Sequence, residues 1–322
     1  MGAAGAAIVA IVLLAFTWPS KSIKIHNIPI AISGSQQIVM GFEEGIEQKF
    51  PGAFVFDTVA SRTEAETQIA HREDFGAILF DQTGLGATVL TVPAASPAVA
   101  QILEKVGLGI RAQISEHVAA AGGDVSKVAV NVSPLISLSE NDTTGSGIVS
   151  AAFPMVLGGI IGGLIATFII RGRRNKLAFL ATFSVAASVF LTLILQSWFG
   201  FLQGNFGLNL LAIGVSVFAT AALIGGLTNA IGRPGLALGA GFTMLLANPI
   251  SAAATPWQFL AGPFGQIGQY LVPGASNYLL RSLSYFPDAD SSMQWFTLVI
   301  WSVAGLGLLA VTSSASRAQA SK

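Results

Sequence analysis

Apolar and polar positions alternate along this chain on two length scales. At the coarse scale, residues 2–18 are an uncharged apolar run, a polar stretch of about 130 residues follows, and from Ile148 the chain is mostly apolar. Further uncharged runs cover 148–170, 177–199, 208–231, 236–254 and 295–311. A membrane-crossing helix needs about 20 apolar residues. In lipid every backbone polar group must be bonded within its own segment, so such runs form helices. The pattern predicts six spans: one at residues 1–19 and five within 148–322.

At the fine scale the polar stretch reads as strands alternating with helices. Ile28, Ile30 and Ile32 alternate as in a half-buried strand, and Ile38, Phe42, Ile46 and Phe50 recur every fourth residue as on a helix face. Pro51-Gly52 stops that helix, and 53–59 is the next strand. Ser61 and Glu64 form a capping box, in which each satisfies the other's free backbone amide. The helix it opens ends near Asp74, and strands follow at 76–80 and 87–92. Ser96-Pro97 then supplies an N-cap and a first-turn proline. Val99, Ile102, Val106, Ile110, Ile114 and Val118 mark one face of a long helix, which Gly107 and Gly109 weaken by about 1 kcal/mol each, enough to allow a bend. A strand at 128–132 and a polar tether at 137–147 complete an α/β domain inserted at residues 20–147.

Composition strengthens the membrane reading. Of 322 residues 52% are hydrophobic and 10% charged, with a mean hydropathy of +0.69; a soluble domain carries about 25% charged residues. Sixteen basic and sixteen acidic residues cancel, which argues against a nucleic-acid partner. With no cysteine, a disulfide scaffold and thiolate metal sites are excluded.

Where the charges lie is more informative than their sum. The link holding Arg171, Arg173, Arg174 and Lys176 is purely basic, and basic loops stay in the cytoplasm. Alternation puts Arg233, Arg317, Lys322 and both chain ends on that side, giving seven basic and no acidic residues there. All sixteen acidic residues and nine basic ones then lie outside. The expected location is a bacterial inner membrane, with residues 20–147 outside. The first run is read as an uncleaved span rather than a signal peptide, since Ala15-Phe16-Thr17-Trp18-Pro19 lacks small residues at the cleavage positions.

Catalytic chemistry is sparse. His26, His71 and His117 are scattered without metal-ligand spacing, and Glu43, Glu44 and Glu47 read as a solvated helix face. The sequons at Asn131 and Asn141 are weak, Asn131 being followed closely by Pro134. No nucleotide-binding loop of the Gly-x-x-x-x-Gly-Lys type is present, and no Asp, Glu or His lies within a predicted span, as proton relays require. The reading is therefore not an enzyme, with no cofactor and no metal. Gly158, Gly159, Gly162 and Gly163 form a doubled small-x-x-x-small pattern, which serves either packing within the chain or a homodimer or heterodimer seam. Asn229 and Asn248 either hydrogen-bond between helices or line a path.

The segment from Asn248-Pro249-Ile250-Ser251 to Tyr285-Phe286 breaks the fifth run. It is rich in proline, glycine and aromatics, and reads as a broken, re-entrant stretch at 255–292. Together with Pro263-Phe264, Val272-Pro273-Gly274-Ala275 and Leu280-Arg281-Ser282, it resembles the type-2 ABC exporter permeases, and among them the phage-infection-protein-like bacterial membrane proteins. The strand at 28–32 and the run 65–80 resemble that group too.

The resemblance implies an integral membrane α-helical fold of six spans with an inserted α/β extracytoplasmic domain. It implies a permease exporting or handling an amphipathic, lipid-like substrate at the outer leaflet, working as a dimer in the bilayer with a separate ATPase subunit. On that reading the substrate path runs by Asn248, Pro249, Trp257, Pro263, Phe264, Pro273 and Arg281. Arg171, Arg173, Arg174 and Lys176 make the cytoplasmic contact. The chain departs from the family at that link, where six residues replace the usual amphipathic coupling helix. The competing reading is a non-transporting receptor or scaffold whose outer domain binds an envelope protein.

Overall fold

The computed structural model describes residues Gly2–Ala310; Arg317 and Lys322, expected on the cytoplasmic side, lie outside them. In chain order α1 (Gly2–Ser22) precedes β1 (Ile28–Ser33), α2 (Gln36–Lys49), β2 (Phe54–Thr58), α3 (Arg62–Ala70), β3 (Gly76–Phe80), β4 (Gly86–Thr91), α4 (Pro97–Ala120) and β5 (Ala129–Pro134). Then come α5 (Ser146–Phe168), α6 (Arg173–Thr192), α7 (Phe206–Ile231), α8 (Arg233–Gly241), α9 (Phe264–Gln269), α10 (Val272–Tyr285) and α11 (Ser292–Ala310). Two compact units result. One is Lys24–Gly145 with Tyr285–Asp290, and the other holds the remaining described residues.

The α/β unit is a five-stranded mixed sheet in the order β2-β1-β3-β4-β5. β1 lies parallel to β2 and β3, β3 and β4 are antiparallel, and β4 and β5 are parallel. Side chains alternate across a strand, so the register sorts them onto two faces. Ala31, Ala77 and Leu90 join Ile69 of α3 on one face. Ile78 and Val89 are register partners that point to the other, where α2 and α4 lie. The capping box of α3 forms with a shift of one residue: Ser61 Oγ accepts from Glu64 N–H at 3.2 Å, and Glu64 Oε2 accepts from Ala60 N–H at 2.7 Å.

The sheet face with α3 is filled from a distance in sequence. Phe286, 2% exposed, packs with Ala31, Val59, Ile69 and Leu90, flanked by Tyr285 and Ala289. The Arg72 guanidinium stands 5.1 Å from its ring centroid, a cation–π distance. Tyr285 Oη accepts from Ser139 N–H at 3.3 Å. The sequence reading assigned these residues to the re-entrant stretch; the fold places 285–290 in the α/β core instead.

In the second unit four helices are long and apolar enough to cross a membrane: α5, α6 with its π-helical extension to Trp198, α7 and α11. This is the make-up of a membrane protein. Of the other two expected runs, α1 contributes the shorter apolar stretch Val9–Trp18. The fifth continues from α8 through a π-helical turn at Phe242–Ala247 and breaks at Pro249. Proline cannot donate the next helical hydrogen bond, and Ala252 turns left-handed at φ +53°. Residues 233–247 span about 22 Å at 1.5 Å each, less than the roughly 30 Å hydrocarbon core.

α7 is the centre of this unit. Gly159 and Gly163 of α5 meet Thr220 and Ile224, while Gly305 and Leu309 of α11 meet Ala222 and Asn229, so α5 and α11 run parallel to α7. α6 runs antiparallel, with Ser188 against Gly214. The outer faces of α6 and α11 expose Val185, Phe190, Phe296, Ile300 and Val303, as lipid-facing surfaces do. α5 and α11 start level with the start of α7. α10 ends there too, its Leu283 carbonyl against Gly204 of the α6–α7 link. The basic residues at 171–176 and Arg233 lie at the opposite ends of these helices.

Candidate functional site

The α/β unit carries an open groove between α2 and α4. Ser96 caps α4, its Oγ accepting from Val99 N–H at 3.3 Å. Val99, Leu103, Gly107 and Ile110 then seat the helix on the sheet. At Gly107 a Cβ would stand 2.6 Å from Val132 Cγ2, so glycine is what permits the close approach. The helix runs unbroken through Gly107 and Gly109. Its buried face includes Leu103 and Gly107 rather than the full expected stripe. Ile102, Val106 and Ile114 are half-buried and turn toward the groove.

α2 is held at its end by Glu47, whose carboxylate accepts from Gly52 N–H at 3.1 and 3.2 Å. This is a capping role for a residue read as merely solvated. Val39 is buried, but Ile38, Phe42 and Ile46 remain half-buried and Phe50 exposed. Two apolar helix stripes thus border an open space instead of closing on each other. Phe42 lies edge-on to Phe56 at 5.8 Å and to Phe80 at 5.4 Å.

One compartment of the groove has about 980 Å³ and the next about 770 Å³, sharing Phe42, Ile46, Lys49, Ile110, Gln113 and His117. Small-molecule sites fall at about 300–1,000 Å³ and are mostly apolar with few polar groups. Lys49, Lys105, Glu116 and His117 are the ionisable residues along the larger compartment. Gly41, Gly45 and Gly109 also line the groove, and a Cβ at any of them would meet nothing within 4 Å.

A second feature escaped the sequence reading. Asp74 is 2% exposed, and among the described residues neither of its oxygens has a hydrogen-bond donor. Burial, then the neighbouring Asp57 carboxylate, push it up to about 7. No local pattern announces such a residue, because Asp57 sits in β2 and the two meet only through the sheet.

Most residues of the expected substrate path lie on segments that pack together, Pro249–Ser251 and Trp257–Phe259 both contacting α9. Pro249 and Phe264 line an apolar pocket of about 160 Å³ with Ala15 and Trp18, and the Trp18 and Phe264 rings meet edge-on at 5.5 Å. Asn248 uses its carbonyl to accept from Ser251 Oγ at 2.7 Å. Trp257 presents its carbonyl to Gly265, and Pro263 is exposed. Pro273 and Arg281 are buried on α10. The stretch is packed backbone to backbone, Gly268 against the Ile250 carbonyl and Gly274 against the Gly268 carbonyl. Gln269 Nε2 donates to the Ser251 carbonyl at 3.2 Å.

Arg171, Arg173 and Arg174 are exposed and Lys176 half-buried. The link between α5 and α6 is only residues 169–172. Cations in a helix's first turn oppose its dipole, so Arg173, Arg174 and Lys176 are not there to stabilise α6. Gly159, Gly162 and Gly163 all face neighbouring helices of the same chain, whereas Gly158 faces open space. Asn229 Nδ2 donates to the Leu309 carbonyl at 3.3 Å, joining α7 to α11.

Polar groups inside the membrane unit were largely missed. Asn209 Nδ2 donates to Gln196 Oε1 at 3.0 Å and to the Gln203 carbonyl at 2.8 Å. Ser184 Oγ, Thr192 Oγ1 and Asn209 Oδ1 are buried without a hydrogen-bond partner among the described residues. Among those residues no group of three or more His, Asp or Glu is placed to hold a metal. No known protein family, curated protein or solved structure matches this chain.

Proposed function

We propose that this chain is a bacterial inner-membrane protein of permease architecture that handles an amphipathic, lipid-like molecule, taking it up in the α2/α4 groove outside the membrane. The observation that carries this reading is the groove itself. Two apolar helix stripes that would ordinarily close on each other border about 980 Å³ of open space. Leaving such surface in water is unfavourable, and an apolar occupant relieves it.

The proposed topology has six spans, cytoplasmic chain ends and residues 20–147 outside. It draws support from the segregation of the basic residues at 171–176 and Arg233 to the far ends of α5 and α7, in line with the positive-inside rule. The four-residue link between α5 and α6 leaves no room for a coupling helix, which counts against an ATPase gripping it. The interior glycine contacts of Gly159, Gly162 and Gly163 count against a dimer seam there.

The test is to extract the full chain from native membranes into polymer nanodiscs and analyse its co-purifying lipids. Ile46→Glu with Val106→Glu should deplete one amphipathic species that the wild type enriches. Identical lipid profiles in a folded variant would reject the groove as the binding site.

A further inference from the structure

Gly158, Gly241 and Gly307 of the membrane unit meet no atom within 4 Å, but several helical glycines have a reason that can be seen in their surroundings. At Gly107 it is Val132, 2.6 Å from where a Cβ would stand; at Gly162 it is the Phe183 ring, also at 2.6 Å. Gly41 and Gly45 of α2 and Gly109 of α4 have none, since a Cβ there meets no atom within 4 Å. None of the three has a positive φ. A glycine inside a helix is less stable than alanine, so these positions weaken their helices with no packing contact that requires it. All three line the α2/α4 groove. Their smallness serves whatever lies in it, by letting the occupant run against bare helix backbone.

The shape and charge of the groove narrow that occupant. From Ile38 to Phe50 the stripe on α2 extends about 18 Å at 1.5 Å per residue, which suits an extended acyl tail. Walls of Phe42, Ile46, Ile102 and Val106 offer hydrocarbon contact but few hydrogen bonds. Lys49 and Lys105 outnumber Glu116, with His117 beside them, while Glu43, Glu44 and Glu47 line a shallower depression that shares Phe54 with this compartment. We infer that the groove binds a single-chain anionic lipid, its tail against Gly41, Gly45 and Gly109 and its acidic head at Lys49 and Lys105. This rests on the proposed amphipathic-ligand reading and gives it a chemical class.

The experiment uses the full chain in zwitterionic nanodiscs, with dansyl-undecanoate as the fluorescent probe and empty nanodiscs subtracted. Palmitate should displace the probe, while hexadecanol, which has the same tail without the charge, should compete about tenfold more weakly. Gly45→Leu with Gly109→Leu should weaken palmitate binding about tenfold or more. Gly45→Ala with Gly109→Ala should weaken it less and raise the thermal midpoint, an outcome a purely structural role for these glycines does not produce. Lys49→Glu with Lys105→Glu should abolish the preference for palmitate over hexadecanol.

Equal competition by hexadecanol, or displacement by phosphatidylglycerol but not by palmitate, overturns the single-chain anionic assignment and leaves amphipathic binding standing. Unchanged palmitate affinity in a folded leucine variant overturns the placement of the tail. Absence of any displaceable probe binding overturns the proposed function along with it.

Discussion

Two sets of helix glycines in this molecule do opposite things. On α5, Gly159, Gly162 and Gly163 close the gap to α7 and α6, with Thr220, Phe183 and Ile224 where side chains would begin. On α2 and α4, Gly41, Gly45 and Gly109 face open space. In a bilayer there is little hydrophobic drive between helices, and association relies on close packing that small residues permit. In water, where the α/β unit is proposed to lie, the drive to close apolar faces is strong, yet the α2/α4 groove stands open.

That contrast breaks most sharply at Gly163. Gly163→Leu sets a side chain against Ile224 Cβ at 2.9 Å and the Ala221 carbonyl at 3.0 Å. Overpacking ordinarily costs about 1–3 kcal/mol, and a backbone obstacle takes it beyond that range. Loss of monodisperse protein in mild detergent is the expected result; a well-folded variant would remove the close-packing side of the comparison.

The two faces of the sheet supply the next test. Phe286→Ala empties a filled face and should cost about 3–5 kcal/mol, seen as faster hydrogen exchange in β1 and β3 of the full chain. Phe50→Ala on the groove side, 49% exposed, should stay within about 0.5 kcal/mol. Equal losses at the two positions would mean that the groove face is as closed as the other.

Asp74 makes the filled face sensitive to pH. Its carboxyl is raised from 3.8 to about 7, so the folded unit binds a proton that the unfolded chain has released. Stability therefore falls as pH rises from about 4 through 7. Asp74→Asn should flatten that decline in hydrogen exchange corrected for its intrinsic pH dependence, and a slope unchanged by the substitution would contradict the assignment.

The smallest expected effect carries the opposite sign. Gly45→Ala and Gly109→Ala should each stabilise by about 0.5–1 kcal/mol, because open space receives the methyl group. A drop in the thermal midpoint would show that something in the fold needs those glycines.

Strand and helix positions in the α/β unit were legible because they rest on local periodicity and on turn and cap chemistry. Ile28, Ile30 and Ile32 lie in β1, Ser96 caps α4, and Pro51-Gly52 follows the end of α2. The break at Asn248-Pro249 was legible for the same reason, since a missing N–H is a property of one residue. The groove was half legible. Both apolar stripes stood in the sequence, but their helical period reads identically whether the stripes meet or stand apart.

The sequence by itself determined which segments are apolar enough for lipid, which alternate as strands, and where the basic residues fall, because solvation and backbone preference act over a few neighbouring residues. The tertiary structure decided what no local pattern encodes. It put Phe286 in a core formed by residues far back along the chain, gave Asp74 its acidic neighbour, and turned some glycines into contacts and others into open space. Each of those outcomes depends on which element arrives alongside, and that is settled only by the packing of the whole unit.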